Sequence, residues 1–248
     1  MDPSTIRFNQ ITLCTERGSP PGVISFYTLT GGSTTSGRGL VMNVVLSQGD
    51  LSAVKKDDYL CKVRALCFIQ FTSSFVKDTS GNDIVPMLGG DNARDALQVK
   101  SLVADTTPPV LVSFGLNMET RALLLTFDEP VDHLSVRTSQ TLTLSNSASA
   151  PTETYTLRDN AVVTSLQKSE VINAVMSASD VVYIKALFGL AKSLATSYAS
   201  AATGLATDIA AAKNINAASA SAVAANNYTA DTTAPRFRAF SYANMNLG

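Results

Sequence analysis

His133 is the only histidine in the 248 residues, and it follows Asp132 directly. An Asp–His pair is half of a proton relay. Nucleophilic hydrolysis also needs an activated Ser or Cys against the imidazole, and the sequence has neither a G-x-S-x-G nor an H-E-x-x-H pattern to supply that context. His133 therefore reads as a loop histidine. The run Gly31–Gly39 is glycine-rich but lacks the Gly-Lys-Ser/Thr that closes a phosphate-binding loop, so it reads as a hairpin loop. Asp57-Asp58 and Asp128-Glu129 are adjacent rather than facing carboxylates, a spacing that suits solvated side chains better than general acid–base work. The expectation is a protein that is not an enzyme.

Binding chemistry is more plausible. Calcium takes about six to eight oxygen ligands, many from carboxylates. Asp78, Asn82 and Asp83 in one polar turn, and Asp105 beside a proline pair, are the calcium candidates. The EF-hand spacing is absent, and Asp and Asn in turns more often bond their own backbone. No other cofactor is expected. Cys61 and Cys67 lie six apart and can close a small loop, while Cys14 can instead pair with either or stay buried as a small hydrophobe. The Cys-x5-Cys spacing, with no His nearby, is a poor zinc signature. Asn227-Tyr228-Thr229 is an N-glycosylation sequon.

Composition narrows the partners. The apolar fraction of 45% allows a buried core, and the charged fraction of 16% is low against the usual ~25%. A net charge of −1 with no basic run gives no electrostatic reason to bind nucleic acid or anionic membranes. The stretch Val181–Ala195 is broken by Lys185 and Lys192, so no membrane span is expected. Met1–Thr5 shows neither the basic nor the apolar region of a signal peptide. A Ser/Thr-rich, weakly charged surface suits an extracellular β protein.

The elements that must carry these residues come from an internal repeat. Asp2, Asp50, Lys55, Leu60 and Asp78 recur as Asp132, Asp180, Lys185, Leu190 and Asp208, an offset of 130 (132 − 2). Tyr27-Thr28-Leu29 recurs as Tyr155-Thr156-Leu157, and Asp105-Thr106-Thr107 as Asp231-Thr232-Thr233, at offsets of 128 and 126. One unit is written twice, with small indels in its loops. The expected domains are 1–104, a unit lacking its first strands; 105–230, a complete unit; and 231–248, the first strand of a following unit over Arg236–Met245. A window cut from a longer array is the simplest account of that phase.

Within a unit, Val110–Leu116 and Ala122–Phe127 read as strands from their period-two alternation. So do Thr141–Leu144 with Ile11–Leu13, Thr154–Leu157 with Ser25–Leu29, and Leu40–Leu46 with Val171–Met176. Strands at Leu66–Thr72 or Thr196–Ala201, then one running into Asp105 or Asp231, complete the unit. Asp50 and Asp180 suit an N-cap, which predicts a short helix from each. The alanine-rich stretch from Ala199 to Ala225 has helical propensity, but its counterpart carries turns at Asp78–Asp83 and Leu88–Gly90, which argues against a helix. The fold class is all-β: tandem antiparallel Greek-key sandwiches with a short helical insert per unit. Pro108-Pro109 stops one ladder and stiffens the link to the next.

Three motifs carry a resemblance: Asp105-Thr106-Thr107-Pro108-Pro109, then Leu123–Asp132 (Leu-Leu-Leu-Thr-Phe-Asp-Glu-Pro-Val-Asp), and Asp78-Thr79-Ser80-Gly81-Asn82 near a unit's end. Together they resemble the bacterial S-layer type of Ig-like repeat, which also occurs in large surface proteins of algae and other protists. The second copy departs from it at Ala211-Ala212-Lys213-Asn214. The resemblance implies β-sandwiches in a structural segment of an extracellular stalk, surface layer, hair or filament, with neighbouring units or copies of the chain as partners. The alternative is an adhesin module whose sandwich-end loops, Gly31–Gly39 among them, bind carbohydrate or protein.

Overall fold

The structure is a computed structural model that describes residues 1–15, 25–88, 96–237 and 239. These residues are mainly strands joined by turns, with two α-helices. The first half carries β1 (Ile11–Cys14), β2 (Phe26–Thr28), β3 (Gly32–Ser33), β4 (Val45–Leu46), α1 (Gln48–Lys56), β5 (Phe68–Phe71) and β6 (Leu97–Gln98). The second carries β7 (Leu111–Asn117), β8 (Ala122–Val131), β9 (Leu142–Ser145), β10 (Thr154–Thr156), β11 (Val162–Val163), β12 (Ser169–Val175), α2 (Ala178–Ala186), β13 (Tyr198–Ala201) and β14 (Val223–Thr229).

Strand order makes the two halves comparable. The first half has a sheet β2-β1-β5-β6 and a separate pair β3-β4, while the second has one sheet, β10-β9-β13-β14-β7-β8-β12-β11. Neighbours run antiparallel except β14 and β7, which are parallel. Even the cross-strand side chains correspond: Thr12 bonds Thr28 at 2.8 Å, and Thr143 bonds Thr156 at 2.8 Å. Such pairs on one face are the local unit of sheet stabilisation.

The second half has the larger core. Leu111, Phe114 and Leu116 on β7, Leu123, Leu125 and Phe127 on β8, and Ile172 on β12 alternate inward as the pleat requires. They meet Leu142, Leu144 and Tyr155 from the other end of the same sheet, together with Val181 and Ile184 of α2. Each such side chain, fully buried, contributes about 1.5–3 kcal/mol.

Several expectations need correction. The strand over Leu40–Leu46 is reduced to Val45–Leu46, whereas its counterpart Ser169–Val175 is complete because β8 lies alongside it. The strand into Asp105 is only Leu97–Gln98, while β14 has β7 to pair with. The N-caps are Ser47 and Ser177, whose hydroxyls accept from the backbone of Asp50 and Asp180 at 3.1 and 3.0 Å. The turn at Ala211–Asn214 differs in sequence from its counterpart but keeps its bonding. Asp78 accepts from Asn82 N and Nδ2, and Asp208 does the same from Asn214. The residue before each asparagine has positive φ, Gly81 at 87° and Lys213 at 49°. Ala199–Ala225 holds strands and that turn rather than a helix, because pairing with β9 and β7 outweighs alanine's propensity. The strand expected over Arg236–Met245 lies mostly outside the described residues, as do Gly89 and Gly90.

Cys61 and Cys67 form a disulfide, with Cys14 buried elsewhere in the first half. Their counterparts are Ala191 and Ser197, yet the loop is the same in both halves. Cys61 N donates to Leu66 O at 3.0 Å and Ala191 N to Thr196 O at 2.9 Å, with φ of 51° and 53° at the two positions. The bridge therefore reinforces a loop that backbone bonding already shapes. Replacing both cysteines by serine should cost at most about 2 kcal/mol, the chain-entropy value for so short a loop. Urea unfolding measures this, and amide protection at residue 61 should survive.

Candidate functional site

Asp50 and Asp180 are fully buried carboxylates at the same place in each half. Asp50 accepts from the Tyr27 hydroxyl (2.8 Å), Thr30 N (2.9 Å), the Thr30 hydroxyl (2.7 Å) and Gly31 N (3.1 Å). Asp180 accepts from the Tyr155 hydroxyl (2.8 Å), Arg158 N (3.0 Å) and Asp159 N (3.2 Å). Each helix thus clamps the loop that follows β2 or β10. Burial works against the charge of Asp50, but these donors outweigh it and hold its carboxyl well below the usual range. These aspartates are structural clamps.

Burial, and then the bond to Asp180, push the Tyr155 hydroxyl up to about 12. A phenol raised above its free value near 10 stabilises the fold fully below that value and loses its contribution as pH rises through about 12. Ultraviolet titration should therefore show one tyrosine ionising near 12, together with alkaline unfolding.

The second cluster joins the halves. Lys55, in the last turn of α1, reaches Asp105 Oδ2 at 2.7 Å and Glu129 Oε2 on β8 at 2.5 Å. One carboxylate oxygen from each of Asp105, Glu129 and Asp208 lies within 4.8 Å of the others. Asn214 Nδ2 donates to Asp208 and also to Asp105 O, tying the turn to the linker. Lys56 pairs with Glu170 at 2.6 Å, Lys168 with Asp58, and Lys62 Nζ donates to Ile209 O at 3.1 Å. The same lysine position recurs beyond the second half, where Lys185 pairs with Asp231 at 2.7 Å. There Glu119 accepts from Thr232 N at 2.7 Å and from the Thr233 hydroxyl.

Electrostatics follow burial. Desolvation raises the Glu129 carboxyl above its ordinary value, with the negative charges of Asp105 and Asp208 adding to it and Lys55 opposing. Burial works against the Lys55 ammonium, but its bonds to Asp105 and Glu129 prevail and raise it, so it stays charged. Burial likewise opposes ionisation of Asp105, and the bonds from Lys55 and Thr107 N outweigh it and lower its carboxyl. Glu129 Oε1 is buried and has no hydrogen-bond partner among the described residues. Lys55 bonds Asp105 and Glu129 with the Asp208 carboxylate close by, so the cluster ties α1 to β8 and to the segment between the halves.

No family model matches the chain, and no curated protein or solved structure matches it either.

The remaining sequence candidates scatter. Of the two calcium candidates, the turn has Asp78 bonded to its own backbone and to Asn82, with Asp83 paired to Lys77 at 2.5 Å, and Asp105 lies at the junction. The oxygens that do converge include Asp105 alone of that set. Glu129, expected to be solvated, is only 6% exposed, whereas Asp128 beside it is exposed and accepts from Val110 N at 2.8 Å. Asp57 accepts from Tyr59 N and Leu60 N. His133 lies 3.9 Å from Asp132, beside a cavity of about 450 Å³ whose other charged neighbours are Asp58, Lys62, Lys168 and Lys213. Asn227 is exposed on β14, in a shallow groove of about 410 Å³ with Gly115 and Leu124. Among the described residues, no helix is long and apolar enough to cross a membrane.

Proposed function

We propose that the chain is a structural, non-enzymatic repeat segment of a large extracellular stalk, surface layer, hair or filament. It consists of Ig-like Greek-key sandwich units, 1–104 and 105–230, with 231–248 starting the next. The observation that carries this reading is the junction. The Asp105 linker is pinned by Lys55 from the first unit, and the same lysine is anchored to Glu129 of the second. A protein whose task is to hold distance needs stiff junctions, and Lys185 with Asp231 repeats the linker half of this one at the next position. The disulfide fits an oxidising compartment.

Residual dipolar couplings on the intact chain test the reading. One alignment tensor should fit both halves, since a pinned linker tumbles as part of one body. Two unrelated tensors would remove the stiff junction, because inter-domain motion is the default where an interface is weak.

A further inference from the structure

We propose that the first half is an acceptor for a β-hairpin of the β7–β8 kind, which inserts between β6 and β4. This rests on the reading of the halves as copies of one unit, and it adds what kind of partner the first copy takes.

The second half is the template. There β7 and β8 lie between β14 and β12, with β7 parallel to β14 and β8 antiparallel to β12. In the first half the corresponding strands are β6 and β4, and among the described residues each has one neighbouring strand only. Ala225–Thr229, which pair with β7, correspond to 99–103 at an offset of 126 (223 − 97). Val99 N donates to Cys67 O at 2.9 Å on the β5 side, but among the described residues no strand lies against 99–103 on the side that β7 takes in the second half, and Val103 is 91% exposed.

The β4 side shows the same vacancy in its burial. Ile172, Ala174 and Met176 are 0%, 2% and 1% exposed in the second half. Their counterparts Met42, Val44 and Leu46, at the offset of 130, keep the alternation but are only half-buried. Val41 and Val45, which alternate with them, are 77% and 57% exposed. Among the described residues, pairing on this edge is confined to one place. Met1 N donates to Gly39 O at 2.8 Å and Gly39 N to Met1 O at 3.4 Å, the position held in the second half by Val131 and Ser169.

These features fix the occupant's chemistry. Two bare strand edges need rows of backbone donors and acceptors, which an extended segment supplies and a helix does not. A single strand satisfies one edge and leaves the other open. The chain's own Phe237, Phe240 and Tyr242 match Leu111, Phe114 and Leu116 at the offset of 126, so that segment matches only the first strand of the pair. A hairpin with apolar side chains at the positions of Leu111, Phe114, Leu123, Leu125 and Phe127 satisfies both edges and covers Met42, Val44 and Leu46.

The probe is a synthetic peptide with the sequence of Pro109–Val131, added to the intact chain and followed by amide hydrogen exchange. Binding should slow exchange at 41–46 and 99–103 by about tenfold or more, and a peptide carrying Phe114→Asp and Leu125→Asp should have no effect. Unchanged exchange in both segments at saturating peptide, or slowing confined to β7 and β8, overturns the proposal. A second arm fuses Pro109–Val131 directly ahead of Asp2, as Val131 precedes Asp132. That chain should show the same slowing without added peptide, and an unchanged pattern overturns the proposal even where the free peptide aggregates. Either failure leaves the dipolar-coupling result untouched, so the acceptor and the stiff array fail separately.

Discussion

Replacing Asp180 by alanine should destabilise the second half by about 3–5 kcal/mol, read by urea unfolding. The carboxylate is 1% exposed and accepts from the Tyr155 hydroxyl, Arg158 N and Asp159 N. Removing it leaves those donors without their acceptor in or near the core, at about 1–3 kcal/mol for each that is buried. Helix α2 itself should persist, because its cap is Ser177 and not Asp180. Asparagine keeps one acceptor oxygen and should lose roughly half as much. The equivalent change at Asp50 should act on the first half in the same way, since it serves Tyr27, Thr30 and Gly31. A loss below about 1 kcal/mol at Asp180, within the range of an ordinary surface change, would contradict the clamp.

Replacing Lys55 by methionine should loosen the junction by about 2–4 kcal/mol. Breaking a buried ion pair costs about 3–5 kcal/mol through the charge left behind, and the partial exposure of Lys55 and Asp105, 23% and 25%, discounts that figure. The loss should depend on pH in a definite direction. Glu129 already sits above its ordinary value through burial, and losing the ammonium raises it further. A raised carboxyl favours the fold when protonated, so the variant's deficit is largest above the folded-state value of Glu129. It shrinks as pH falls through that value. Unfolding at neutral and mildly acid pH measures it. Lys168→Ala, which breaks a pair with the largely exposed Asp58, should cost less than about 1 kcal/mol.

The charged residues that recur in the sequence are the ones with recurring roles: Asp50 with Asp180, Lys55 with Lys185, Asp78 with Asp208, and Asp105 with Asp231. Their positions were legible from self-comparison, but their partners were not. Asp50 and Asp180 looked like caps because each begins a helical pattern, while the serines three residues earlier were the stronger capping signal. Beside Asp128, Glu129 reads as solvated, yet it continues the inward parity of Leu123, Leu125 and Phe127 along β8. Asn214 was hidden by a two-residue insertion relative to Asn82. The strand over Leu40–Leu46 has the right period, but only Val45–Leu46 form one, and among the described residues no β8-type strand pairs with it, which periodicity cannot report.

Electron cryomicroscopy of the native material tests most directly whether this chain is part of a structural array. The account predicts filaments, rods or a lattice with an axial repeat set by one unit. Dispersed compact particles built from the 26.1 kDa chain alone would contradict it.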